Sequence, residues 1–339
     1  MNIYQWKTQI KEFNARFKQN TETHIQWNEN TKENLTRFKK SQSIWNFEWK
    51  YYKEDEKAIV LVGASPRLSE DVDKLKELND NFRIICANSS LKFLLRHGIK
   101  PDYCICVDSD HVDIPQHLDI DRDDITLLAS TVVWGKVLDN WKGPIYYLPY
   151  YSIDNELKTK VRKILGKAVP GGGNSITEAL YIASIIFGSK TIIFVGNEYC
   201  FDTVKDYYAD KETSKQEKML VRYPIVDVKG KERWTQPAHY VYAIWTEKMC
   251  ADLSPPGYFI DTSFGVLGKD DSAIHVMELS EAIKKVNKAF IDAKRLNETK
   301  SERGRLKILR ELVPKNEPSS VYRYNMQEHR ERILQLARS

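Results

Sequence analysis

The sequence predicts an α/β chain: a Rossmann-like, mainly parallel sheet flanked by helices, with helical N- and C-terminal extensions. Three observations predict it. From Lys57 onward, short β-branched runs alternate with amphipathic stretches of ten or so residues, and strands separated by helices of that length form parallel βαβ units. Residues 1–54 contain no Gly or Pro and hold four of the eight tryptophans, Trp6, Trp27, Trp45 and Trp49, a composition that reads as helical. After Ser280 the chain turns into basic stretches of helical character, EAIKKVNKAFIDAKRLNE, RLKILRELV and MQEHRERILQLAR, interrupted by the polar break PKNEPSS. The expected division is a helical N-terminal extension over 1–54, a nucleotide-binding catalytic domain over 55–285 and a basic helical tail over 286–339.

In order along the chain, Ile3, Trp6, Ile10, Phe13 and Phe17 recur at spacings of three and four, giving one apolar helical stripe that must dock on the main domain or on a partner. The strand-like runs are then AIVLV, FRIICA, YCICV, ITLLAS, PIYYLP, KTIIFV and GYFID. Between them lie SEDVDKLKEL, SLKFLLRHG and helical stretches near 132–141, 153–165, 175–187 and 238–251. A sheet of this kind binds ligands outside the carboxyl ends of its strands, so the chemistry is sought just after each strand.

Composition narrows the function classes. The 52 basic and 47 acidic side chains leave a formal charge of +5, too small a surplus to indicate nucleic-acid binding. No apolar run approaches the ~18–20 residues of a membrane span, and MNIYQWKTQIKEF lacks the apolar stretch of a secretory signal, so a cytoplasmic protein is expected. The five cysteines, Cys86, Cys104, Cys106, Cys200 and Cys250, are read as buried free thiols, because their number is odd and three lie in strand-like runs.

Four turns carry the candidate chemistry. Gly63-Ala64-Ser65-Pro66 follows the first strand, with Ser69 as the expected cap of the next helix; small residues there let amides approach a phosphate. The turn is neither GxGxxG nor a Walker loop, which disfavours dinucleotide and P-loop enzymes. Gly171, Gly172, Gly173, Asn174 and Ser175 lead into a helix whose stripe is Ile176, Ala179, Leu180, Ala183 and Phe187, with Gly188 as its stop. That turn is read either as an anion cradle or as a tight-packing loop. Asp108 and Asp110 end the strand YCICV, as a pair that shares a hard cation on a diphosphate or as a solvated, capped turn. Asn197, Glu198 and Tyr199 follow TIIFV, with Tyr207 and Tyr208 shortly after. His239 heads a helix, where the positive end of the dipole disfavours its cation and suits a general base near neutral pH.

Taken together, VGASPRL, CANSSLKFLLRHGIKPDYCICVDSD, VPGGGNSITEALYIASIIFGSKTIIFVGNEYCF and the closing YFIDTSFGVLG resemble the family containing the motility-associated Maf flagellin glycosyltransferases and the archaeal MptE-like 6-hydroxymethylpterin diphosphokinases. The resemblance spans 58–279 and leaves both ends outside. The run is also similar to bacterial sialyltransferases that use a cytidine monophosphate sugar. That likeness implies nucleotide contacts at Gly63, Ala64, Ser65, Asn88, Gly173, Asn174 and Ser175. It also implies a tyrosine among Tyr199, Tyr207 and Tyr208 that assists the departing phosphate, and His239 as base.

The sequence departs from the family in Ala-Ser-Pro-Arg at the first turn, in a partial match of Asp108-Ser109-Asp110-His111 to Asp-Leu-Asp-Gly, and in lacking a His-Ala-His-Gly-type segment. The expectation is therefore glycosyl transfer from a nucleotide sugar, a CMP-sugar by the resemblance, to an acceptor that the sequence does not name. The alternatives are an ATP- and magnesium-dependent diphosphokinase with Asp108 and Asp110 as metal ligands, and a non-catalytic nucleotide-binding assembly module. The helical ends are expected to serve homo-oligomerisation or a protein partner.

Overall fold

The computed structural model describes residues 21–47, 57–111, 113–150, 154–202, 208–209, 222–269 and 271–298. The apolar stripe over residues 3–17, Trp6, Trp49, Tyr207 and the tail beyond residue 298 lie outside the described residues. Eight parallel strands form one sheet in the order β10-β9-β6-β1-β2-β3-β4-β5. They are β1 Ala58–Val62, β2 Phe82–Ala87, β3 Tyr103–Cys106, β4 Thr126–Ser130, β5 Ile145–Leu148, β6 Thr191–Val195, β9 Tyr258–Asp261 and β10 Ile274–Val276. A separate antiparallel hairpin pairs β7 Tyr223–Val226 with β8 Glu232–Thr235. Every strand foreseen in the sequence is present; β10 and the hairpin are additions. Pro224 inside YPIV and the short, polar-flanked IHV are weak strand signals.

The continuous apolar runs follow from burial on both faces. Val60, Val62, Cys104, Cys106 and Leu127 face one layer, while Ile59, Leu61, Ile85, Ile105 and Leu128 face the other. The first layer is covered by α2 Leu68–Asp71, α3 Asn88–Arg96, α4 Asp113–Leu118, α5 Gly135–Asn140, α6 Asn155–Leu165 and the first turns of α9 Leu279–Glu298. The second is covered by α7 Ser175–Tyr181, its π-helical continuation Ile182–Ile186, and α8 Pro237–Leu253. Ile176, Ala179, Leu180, Ala183 and Phe187 are all buried, and Gly188 stops the helix at φ +69°. Cys86, Cys104, Cys106, Cys200 and Cys250 are buried free thiols, as expected.

Ser69 departs from its expected role. Helix α2 already begins at Leu68, so Ser69 lies inside the first turn, where its hydroxyl donates to Pro66 O at 2.7 Å.

The segment before the sheet packs on it. Ser43 bridges to Tyr147 on the outer edge of β5, and Ile44 and Trp45 are buried at 0% and 3% exposure. This covers an edge that would otherwise offer unpaired backbone groups. Helix α1, Thr21–Asn34, crosses the carboxyl ends of β3 and β4. Among the described residues no helix is long and apolar enough to cross a membrane.

Candidate functional site

A cavity of about 580 Å³ opens at the carboxyl ends of β1, β2, β3 and β6, bordered by residues of α1, α4, α7 and α8. Gly63, Ala64, Ser65, Asn88, Asp108, Asp110, Gly173, Asn174, Ser175, Asn197, Glu198, Tyr199, Tyr208 and His239 all line it. The fold therefore brings together candidates drawn from seven separate stretches of sequence. Gly171 and Gly172 are not part of the lining, and Tyr207 lies outside the described residues. A larger groove of about 730 Å³ lies on the opposite side of α8, lined by Ile225, Val226, Ala243, Ile244 and Val266. Its lining is the more apolar of the two and includes none of the turns that follow β1, β2, β3 and β6, so the smaller cavity is the better candidate site.

At the β1–β6 end, the backbone is sealed to itself. Gly63 N donates to Val195 O at 2.9 Å and Ser65 N to Gly196 O at 3.0 Å. A side chain on Gly63 would run into Asn197 and Gly196 O, which explains the glycine without a ligand. The Asn197 amide donates to Leu61 O and Val195 O, at 2.9 and 3.0 Å, tying the two strands together. Glu198 accepts from Arg67 N at 2.9 Å and from the Arg233 guanidinium at 2.8 Å, and is 3% exposed. These polar groups lock two turns against each other.

At the α7 end, the turn is held by a capping box. Gly172 N and Asn174 N donate to Thr177 Oγ1, at 2.9 and 3.2 Å, while Thr177 N donates to Asn174 Oδ1 at 2.9 Å. The amides of Ser175 and Ile176 begin the helix and have no intrahelical acceptor; both residues face the cavity. Gly173 has φ +108°, and a Cβ there would press on the Tyr242 ring. The neighbouring glycines are demanded by packing, since a Cβ on Gly172 would meet Trp245 and one on Gly171 would meet Glu178. Tight packing and an open helix start thus coexist in one turn. Ser175 Oγ donates to Asn88 Oδ1 at 3.4 Å, and Asn88 Nδ2 stands 3.1 Å from His117 Nδ1, which accepts when it carries no proton.

The titratable groups are shaped mainly by burial. Burial pushes the His239 imidazole down to about 4. The residue keeps a part-exposed edge, but its Nδ1 is shut off from solvent. The cause is desolvation rather than the helix terminus inferred from sequence, and the value lies below the near-neutral range expected. Tyr199, at φ +52°, is pushed up to about 12 by burial, and its hydroxyl lies 3.4 Å from Thr246 Oγ1. Tyr242, also raised to about 12 by burial, lies against Gly173 and within electrostatic reach of Asp108. Glu178, 6% exposed beside Gly171, is pushed up to about 8 by burial, so most of it is protonated at neutral pH. Trp27, His117, Tyr242 and Glu178 were not among the residues foreseen.

Asp108 Oδ1 accepts from Ser109 N at 2.7 Å and Asp110 N at 3.3 Å. Among the described residues no three His, Cys, Asp or Glu side chains gather as a metal centre. A cation at this turn would have two protein carboxylates at most and would draw its other ligands from phosphate and water, a donor set that suits magnesium.

The family described as 6-hydroxymethylpterin diphosphokinase MptE-like matches residues 29–204, just over half of the chain. No curated protein sequence matches significantly. Among solved structures, the chain is similar to the MAf glycosyltransferase from Magnetospirillum magneticum AMB-1, at 14% identity and a TM-score of 0.50. That likeness covers 70% of this chain and 37% of that one, so the chain spans little more than a third of its length. At this identity the likeness concerns the fold. The family match begins inside α1 at residue 29, earlier than the sequence resemblance placed it. With its parallel sheet and its matched region both in place, the chain belongs to the MptE-like family and shares the fold of a Maf glycosyltransferase.

Proposed function

We propose that the protein is a nucleotide-dependent transferase that moves a sugar from a nucleotide sugar to an acceptor. The observation that carries this reading is the start of α7, where Ser175 and Ile176, whose amides have no acceptor inside the helix, line a cavity of about 580 Å³ together with Asn88, His239 and Tyr242. Two amides and a helix N-terminus favour a phosphate. The protonated state of Glu178 supports the same reading, because a charged carboxylate under that turn would repel the phosphate.

In this reading the donor phosphate is held by the Ser175 and Ile176 amides, with Asn88 positioned by Ser175 and His117. As the sugar–phosphate bond breaks, the negative charge growing on the phosphate is stabilised by those donors, and Tyr242 or Tyr208 adds a hydroxyl. The acceptor oxygen attacks the sugar carbon and becomes strongly acidic while it does so. A neutral imidazole with a pKa of about 4 then takes its proton, so His239 remains the candidate base.

The family description favours a second reading, diphosphoryl transfer from ATP. Magnesium held by Asp108 and Asp110 would there offset the charge of the triphosphate. A thermal-shift screen against cytidine, uridine and adenine nucleotides, with and without magnesium, separates the readings, because a ligand bound only by the folded state raises apparent stability. Stabilisation by a pyrimidine nucleotide in EDTA supports glycosyl transfer. Stabilisation by ATP only with magnesium, with release of AMP in the presence of a hydroxymethylpterin, supports the diphosphokinase. Binding without any turnover supports an assembly module.

A further inference from the structure

Helix α1 takes no part in the sheet, yet it reaches the cavity. Asn30 and Asn34 are four residues apart and share one helix face. Both are buried, at 2% and 0% exposure. Asn30 Nδ2 donates to Ser109 O at 3.3 Å and Val132 O at 2.8 Å, and Asn34 Nδ2 donates to Thr131 O at 3.1 Å and Val133 O at 2.7 Å. Two side-chain amides therefore fasten the helix to the loops after β3 and β4. Trp27, one turn before Asn30, is delivered into the cavity wall. Its indole is braced edge-to-face by Tyr150, with centroids 5.1 Å apart at 74°, and by His24 at 4.9 Å and 90°.

The surroundings of Trp27 are electrically polarised. The α7 amides form the positive part of the cavity. The Asp108–Asp110 turn, whose Ser109 carbonyl Asn30 holds, forms the negative part and repels a phosphate. A nucleoside phosphate has a matching division: an anionic end, then hydroxyls that donate well to carboxylates, then a flat ring. An oriented indole lining the same cavity as the carboxylates is suited to that ring.

We infer that Trp27 is the stacking platform for the nucleobase of the donor, with the ribose hydroxyls directed at the Asp108–Asp110 turn. The inference rests on the nucleotide reading above. It makes the N-terminal helix a specificity element of the site, supplied from outside the βαβ units.

The test is calorimetric titration of the full chain, in EDTA, with cytidine, uridine and adenosine monophosphates, and with inorganic pyrophosphate as a probe that has no base. Trp27→Leu keeps an apolar side chain and removes the ring; Trp27→Phe keeps a ring. Loss of base stacking should weaken the best-bound nucleotide by roughly tenfold or more in Trp27→Leu. Trp27→Phe should recover most of that loss, and pyrophosphate should bind all three proteins alike. Unchanged nucleotide affinity in Trp27→Leu overturns the inference, and so does an equal loss for nucleotide and pyrophosphate, which would mean that the helix had shifted. A wild-type protein that binds none of the nucleotides overturns the nucleotide reading itself, a separate result.

Discussion

At the β1–β6 end of the cavity, the amides of Gly63 and Ser65 donate to strand-end carbonyls 2.9 and 3.0 Å away, and the Asn197 side chain closes the same seam. At the α7 end, Ser175 and Ile176 line the cavity, and as the first residues of the helix their amides have no acceptor inside it. The strand order reverses between β1 and β6, which is where an open α/β sheet usually receives its ligand. Here the Gly63 and Ser65 amides at that crevice are already paired, and the helix-start amides without an intrahelical acceptor lie on α7, which packs across β1, β2 and β3. The difference teaches that a glycine turn after a strand is not by itself a phosphate site; what matters is where its amides go.

The largest effect expected from this contrast is at Gly173. Gly173→Val should lower nucleotide affinity by roughly 100-fold or more, measured by calorimetry. A β-branched residue is strained at φ +108° and collides with Tyr242. Wild-type affinity in a folded variant would show that the α7 turn does not hold the ligand.

His239, facing the α7 end from helix α8, comes next. His239→Ala should reduce turnover by about 100-fold while nucleotide affinity stays nearly unchanged. With its pKa near 4, the imidazole is neutral throughout the usual working range, so the rate attributable to it should be level above about pH 5. A rise through pH 6–7 would mean that another group titrates. The same depression acts on stability. The unfolded chain takes up the proton below about 6.5 and the native state only near 4, so stability is complete above 6.5 and is lost as pH falls toward 4.

The sealed end is tested by its own variant. Asn197→Ala removes the side-chain donor to Leu61 O and to Val195 O, the latter keeping the Gly63 amide, and should destabilise the fold by about 1–3 kcal/mol, the net worth of two hydrogen bonds, in denaturant unfolding. In the folded fraction it should leave nucleotide affinity close to wild type. A large affinity loss with little loss of stability would place the ligand at the β1–β6 end after all.

The smallest effect concerns Glu178. Its carboxyl is raised from 4.5 to about 8, so its contribution to stability is complete below 4.5 and is lost as pH rises through 8. Glu178→Gln should therefore melt higher than wild type at pH 9 and nearly alike at pH 5. Equal melting at both would mean that the site is wetter than its burial implies.

The strands were legible because both faces of the sheet are covered, which turns AIVLV, FRIICA and TIIFV into unbroken apolar runs. The positions of the candidate residues followed from the strand ends. Their roles did not. Asn197 and Glu198 look the same in sequence whether they meet a ligand or a neighbouring turn, and the choice is made by Gly63, Arg67 and Arg233, distant along the chain. The helical character of residues 21–34 was expected, but the docking of α1 at the cavity escaped, because Asn30 and Asn34 fasten it through polar side chains and TETHIQWNENTKEN carries no apolar stripe that would announce a buried face. The histidine shift escaped because it depends on burial, which spacing does not report.

The most direct measurement is a crystal structure of the full chain with the nucleotide that stabilises it best. The account expects the phosphate oxygens within about 3 Å of the Ser175 and Ile176 amides, with the Gly63–Val195 and Ser65–Gly196 hydrogen bonds intact. A phosphate lodged between the β1 and β6 turns, with those hydrogen bonds opened, would contradict it.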